Sequence, residues 1–155
     1  MARRRAADRA ASGRLGAVDR QLPSSRPAQL AFWINAYNAL TIKGILREYP
    51  TSTIRNHTSY VPGNYNMWTD LLLRIDDRDV SLDDIEHQIL RKMGEPRIHF
   101  ALVCAAKGCP PLRRRVYTAD GLEEQLSDNA RRFFARPTNF EADAGSRTVS
   151  LSELL

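Results

Sequence analysis

LLLRIDDRDVSLDDIEHQILRKMGEPRIHFALVC, from Leu71 to Cys104, carries three kinds of local order in one uninterrupted run. Leu71–Ile75 and Asp79-Val80, set around Asp76-Asp77-Arg78, predict a short hairpin, since apolar runs flank an acidic turn. Ser81 then stands three residues before Asp84, a capping-box variant that opens a helix through about Met93. Glu95-Pro96 breaks that helix, and the largely apolar run from Ile98 to Cys104 predicts a strand. Helix and short strand come mixed rather than in regular βαβ alternation. The fold class is therefore α+β, with several helices packed on a small, mostly antiparallel sheet.

The segments on either side extend the pattern. Upstream, Ser24-Ser25-Arg26-Pro27 reads as a helix start, a serine cap with proline in the first turn. Leu30, Trp33, Ile34, Tyr37, Leu40, Ile45 and Leu46 keep helical spacing, so the helix is a buried element running to about Tyr49 before Pro50. Residues 50–68, rich in Thr, Ser, Asn, Pro and Gly, predict a long irregular connection able to fold over a site. Downstream, Thr118 caps a further helix with Leu122, Leu126, Ala130 and Phe133 on its apolar face, ending near Pro137. Phe140–Ala142 and Thr148–Leu151, around Asp143-Ala-Gly-Ser146, predict a closing hairpin.

Composition narrows the class. A chain of 155 residues, 43% hydrophobic and 26% charged, is ordinary for one globular domain. No apolar run approaches the ~18 residues of a membrane span, and the first twenty residues lack the apolar core of a secretory signal. Residues 1–26 hold seven arginines against Asp8 and Asp19, which accounts for the whole net charge of +5. The division is thus a basic arm over 1–26, expected to be disordered, and a neutral globular domain over 27–155. Neither the arm nor Arg113–Arg115 is interleaved with aromatics, so nucleic acid is not an expected partner. The chain as written defaults to the cytoplasm.

Reactive groups are few. Both cysteines lie in one stretch, Arg97–Leu112, where Cys104 ends the apolar run and Cys109 sits in a Gly-Cys-Pro-Pro turn. A thiolate is the reactive form and needs a nearby cation, histidine or helix N-terminus. Cys109, between Gly108 and Pro110, reads as a presented thiol, and Cys104 as a buried one that serves equally well as a small core hydrophobe. On a regular strand His99 and Cys104 face opposite sides about 16 Å apart, so they do not pair directly. His87, on the preceding helix, is the better candidate base, with Asp83 one turn earlier to orient it. Its plainer reading is a polar helix-face residue paired with Asp83 or Asp84. His57 has no motif around it. Asn35 and Asn38 share a face of an apolar helix; they either stitch that helix to loop backbone or orient a catalytic histidine. Glu86 is a salt-bridge partner or an acid/base. The spacing C-x4-C permits a disulfide but is weak for zinc, so no metal or cofactor is expected.

Four segments together resemble the domain of unknown function 547 family. They are Phe32-Trp-Ile-Asn-Ala-Tyr-Asn-Ala-Leu40, Ser81-Leu-Asp-Asp-Ile-Glu-His87, Arg97-Ile-His-Phe-Ala-Leu102 and Cys104-Ala-Ala-Lys-Gly-Cys-Pro-Pro111. Their order and spacing carry the resemblance over about residues 28–155. The family occurs in bacteria, and in plants and animals within larger proteins beside leucine-zipper, DEP or glutaredoxin-like modules. It implies no established activity. Two departures, a basic arm in place of a helical lead-in and an end at Leu155 soon after the closing hairpin, suggest a truncated member.

The residues support readings from different classes. The leading one is a thiol-dependent hydrolase or acyl transferase, with Cys109 (or Cys104) as nucleophile and His87 (or His99) as base, and Asn35 or an acid orienting it. Its substrate would be a protein or a small molecule. A thiol–disulfide redox protein and a non-catalytic interaction module are the alternatives.

Overall fold

A computed structural model describes residues 22–49, 66–75, 78–104 and 108–152. Residues 1–21 of the basic arm, nearly all of the connection expected over 50–68, His57, the Asp76-Asp77 turn and the end of the chain lie outside the described residues.

Helix α1, Arg26–Glu48, starts where the Ser-Arg-Pro signal places it, with Pro27 in the first turn and extended backbone at Ser25 and Tyr49. The cap works through the Ser25 carbonyl, which accepts from the Gln29 N–H at 2.9 Å. Leu30, Trp33, Ile34, Tyr37 and Leu40 are buried as expected, but the stripe then continues through Thr41 and Gly44. Leu46 is 69% exposed. The reason is angular: at about 100° per residue, Leu46 lies opposite Tyr37 while Gly44 stays on its face. A Cβ at Gly44 would overlap the Met67 sulfur and come within 2.9 Å of Leu71 Cδ2, so the helix approaches its neighbour through a glycine.

A short helix α2, Met67–Asp70, leads into β1, Leu72–Ile75, which pairs antiparallel with β2, Arg78–Ser81. β2 passes without a loop into the next helix because Ser81 is both its last residue and the helix cap. Ser81 N–H and Oγ donate to Asp84 Oδ2 at 3.0 and 2.7 Å, and Asp84 N–H donates back to Ser81 Oγ at 3.1 Å. These bonds, the backbone one foremost, hold the Asp84 carboxyl below its usual range. Ser81→Ala should cost about 1 kcal/mol near neutral pH. A carboxyl with a depressed native pKa stabilises above its unfolded value and loses that contribution as pH falls through the native one. The gap between wild type and Ser81→Ala in urea unfolding should therefore narrow below about pH 4, without closing, since the Asp84 N–H bond to Ser81 Oγ does not titrate.

The helix so opened is not an α-helix through its length. Asp84–Leu90 is π-helical and Arg91–Met93 is 3₁₀, and Gly94 ends the run at φ 66°, a left-handed terminus suited to glycine. Its apolar residues Leu82, Ile85 and Leu90 are fully buried against α1.

The strand expected over Ile98–Cys104 does not form. Pro96–Phe100 is a 3₁₀ helix, followed by irregular backbone to Cys104. Glu95 caps it by accepting from the Arg97 N–H at 3.0 Å. Arg97 then braces its own cap, with bonds of 2.8 Å to both Glu95 oxygens, and ties the turn to the following helix through Glu123 and Ser127. Among the described residues no strand lies alongside to complete a ladder. Two side-chain amides take that place: Asn129 donates to the Phe100 carbonyl, and Asn38 donates to the Ala101 carbonyl while accepting from the Val103 N–H. A short apolar run cannot by itself distinguish strand from buried helical turn.

Helix α3, Leu122–Phe134, buries Leu122, Leu126, Asn129 and Phe133, with Thr118 Oγ1 accepting from the Gly121 N–H before it. Strands β3, Phe140–Asp143, and β4, Thr148–Leu151, form the closing hairpin and are exposed along both lengths. The fold is α+β. Among the described residues its strands make two separate antiparallel hairpins, β1–β2 and β3–β4, flanking the helical core. No described helix is long and apolar enough to cross a membrane.

Candidate active site

An open cleft of about 370 Å³ lies where α1, α2 and the π-helix meet the end of the irregular segment. Its floor is aromatic. Tyr37 of α1 stacks on Trp68 of α2, with ring centroids 6.1 Å apart. Trp68 is held by a local cap, since Asn66 Oδ1 accepts its backbone N–H and Asp70 accepts that of Asn66.

The π-helix supplies the charged wall: Asp83 just before it, Glu86 and His87 within it, and Arg91 just after. Glu86 has both oxygens engaged, one by the Tyr37 hydroxyl and the other by Arg91, each at 3.1 Å. Arg91 reaches it from five residues away, the natural neighbour spacing when hydrogen bonds run i to i+5. Burial first, and then the Glu86 charge, push the Tyr37 phenol far above its usual range, so the hydroxyl stays a donor. Glu86 is therefore the salt-bridge partner of the two roles open to it.

His87 remains accessible. Its Nε2 lies 3.7 Å from Asp83 Oδ1, an electrostatic pairing too long for a hydrogen bond, with both side chains about half exposed.

Cys104 completes the lining. It is half-buried and joined by a disulfide to Cys109, with Cα atoms 6.0 Å apart. Cys109 is only 7% exposed. The expected exposures are thus reversed. The strand that was to turn Cys104 inward is absent, and the Cys109-Pro110 turn is itself buried.

The remaining candidates lie elsewhere. His99, on the 3₁₀ helix, lines a second open depression of about 320 Å³ with Arg91, Gly94 and Glu95, and neither sulfur lines it. Asn35 is spent on backbone: its Nδ2 donates to the Tyr117 carbonyl at 2.8 Å and its Oδ1 accepts from the Tyr117 N–H at 2.9 Å. Asn38 does the same for Ala101 and Val103. Both asparagines stitch α1 to irregular chain, and among the described residues neither hydrogen-bonds a histidine. Sequence reasoning overlooked Tyr37 and Trp68 as cleft residues and Asn129 as a buried anchor. Asn129 donates to the Phe100 carbonyl and the Tyr117 hydroxyl and accepts from Arg113. Its signal was present, because Leu122, Leu126, Asn129 and Phe133 continue one helical stripe. Among the described residues, no group of three His, Cys, Asp or Glu side chains is placed to hold a metal ion.

Comparison with curated proteins and with solved structures found no match. The model of the family described as protein of unknown function, DUF547, matches residues 22–134. That span takes in α1, the β1–β2 hairpin, the π-helix, the disulfide and α3, and leaves out the β3–β4 hairpin. With every element of the cleft inside a match that covers most of its length, the chain belongs to the DUF547 family of proteins of unknown function.

Proposed function

We propose that the domain is a thiol-dependent enzyme of the hydrolase or acyl-transferase class, with Cys104 as nucleophile and His87 as base. The observation that supports this reading is a single cleft lined by Cys104, His87 and Asp83. The nucleophile differs from the one favoured by local sequence because Cys104, not Cys109, shares a cleft with an imidazole. In the reduced protein, the imidazole takes the thiol proton and the thiolate attacks an acyl carbon. The tetrahedral adduct then expels its leaving group, protonated by the imidazolium, and leaves a thioester on Cys104. Water or an acceptor nucleophile, deprotonated in turn by His87, releases the acyl group. Asp83 stabilises the imidazolium by charge. The Tyr37–Trp68 stack offers an apolar surface to the acyl or leaving portion of a substrate.

The test is alkylation of the reduced, folded protein with iodoacetamide near pH 7, followed by peptide mass. Cys104 should react faster than an ordinary thiol, and His87→Ala should slow it roughly tenfold, the effect of about one pKa unit on thiolate fraction. A Cys104 no more reactive than cysteine in the unfolded chain, and indifferent to His87→Ala, would leave the non-catalytic interaction module as the better account. The disulfide itself favours a second reading, thiol–disulfide exchange, in which both sulfurs are the working groups.

A further inference from the structure

We propose that the Cys104–Cys109 disulfide is a reversible lock on the Cys104 nucleophile, closed by oxidation and opened by a dithiol reductant. The inference rests on the reading of Cys104 as nucleophile and adds its regulation. A sulfur engaged in a disulfide has no thiolate, so the oxidised protein holds its candidate nucleophile in an inactive form in the lining of its own cleft.

The two sulfurs are unequally placed for exchange. Cys104 is half-buried and lines the cleft, whereas Cys109 is buried behind it. A reductant therefore meets the Cys104 sulfur first. Its thiolate attacks Cys104 Sγ, the Cys104–Cys109 bond breaks, and Cys109 leaves as thiolate and takes up a proton. The second thiol of the reductant then attacks its own sulfur in the mixed disulfide and expels the Cys104 thiolate. The dithiol has become a disulfide, and its two electrons reside on two cysteine sulfurs. The Cys104 thiolate is released into the cleft that holds His87.

Opening the lock should not unfold the domain. The chain on either side is pinned independently of the bond, by Asn38 at Val103 and by Asn35 at Tyr117. The cysteines are only five residues apart. A cross-link closing so short a loop removes little entropy from the unfolded chain, so it contributes least where it is least needed for stability.

The decisive comparison uses the full chain in four forms: oxidised wild type, wild type reduced with dithiothreitol, Cys109→Ser and Cys109→Ala. Iodoacetamide labelling of Cys104 in the folded state is the readout, with circular dichroism alongside. Labelling should be lost in the oxidised form and present at matching rates in the other three, with an unchanged spectrum, and oxidised glutathione should return reduced wild type to the internal disulfide, two hydrogens lighter, while each Cys109 variant gains one glutathionyl group on Cys104. The proposal is overturned if reduction unfolds the protein, since the bond is then structural. It is equally overturned if Cys104 in the Cys109 variants stays as unreactive as in the oxidised form. Failure of the underlying reading looks different: the lock opens and closes as described, but His87→Ala leaves the Cys104 rate unaltered.

Discussion

Asn38→Ala is expected to lower the stability of the domain by about 2–4 kcal/mol, because it strands two main-chain groups at once. Asn38 is 7% exposed, and its amide is the partner of both the Ala101 carbonyl and the Val103 N–H. Each neutral hydrogen bond nets only about 1 kcal/mol, but a buried group left without any partner costs about 1–3 kcal/mol; the second figure applies in full to the buried Ala101 carbonyl, and the first to the half-buried Val103 N–H. In a domain of this size each kcal/mol moves the melting temperature by about 2–4 °C, so thermal and urea unfolding both resolve the effect. Asn38→Asp separates the two bonds. A carboxylate accepts from Val103 but repels the Ala101 carbonyl, so this variant should be least stable at neutral pH. It should recover as the pH falls and the protonated acid regains a donor, the sign expected of a carboxyl whose native pKa is raised. Equal loss for the two variants at every pH would mean that the Ala101 bond contributes nothing.

Phe133→Ala should cost more, about 3–5 kcal/mol, a large share of the stability of a typical domain. Phe133 is fully buried in the last turn of α3, with ring centroids 5.0 Å from Phe100 and 5.5 Å from Phe134. Truncation leaves a cavity between α3 and the 3₁₀ helix Pro96–Phe100, which has no ladder hydrogen bonds of its own to fall back on. Phe134→Ala is the control, since Phe134 is only half-buried and should lose markedly less. The pair would be read by urea unfolding at constant slope, and a Phe133 variant no worse than its neighbour would show that the core closes around the gap.

Much of this arrangement is legible in the sequence. The start of α1, the Ser81–Asp84 cap, the β1–β2 hairpin and the closing hairpin all follow from local signals within four residues of the feature they specify. What fails does so for a physical reason. Whether residues 98–104 form a strand depends on Asn38 and Asn129, which are distant in sequence and supply hydrogen bonds that a neighbouring strand would otherwise give. The burial expected of Cys104 was reasoned from that strand and fails with it, and the exposure expected of Cys109 was reasoned from its Gly-Cys-Pro turn, which is itself buried at Cys109 and Pro110. The π-helix shares the apolar and capping pattern of an α-helix, so its wider turn, and with it the Glu86–Arg91 pairing, was not visible. The cleft needed three elements to be docked before it could be seen. His87 and Asp83 were placed correctly as a pair, because one turn of helix was enough to join them.

Asn35 and Asn38 sit one helical turn apart on α1 and grip only main-chain atoms, those of Tyr117 on one side and of Ala101 and Val103 on the other. Residues 103 and 117 are therefore moored at neighbouring points on one rigid rod, and the excursion between them is closed at its base. The moorings are indifferent to side-chain identity at the points they hold. The excursion has a third fastening, where Cys109 and Pro110 are buried and Arg113 bonds Asp128 and Asn129 of α3, so it is at the exposed Leu112, Arg114, Arg115 and Val116 that it can be rewritten while its cleats stay as they are.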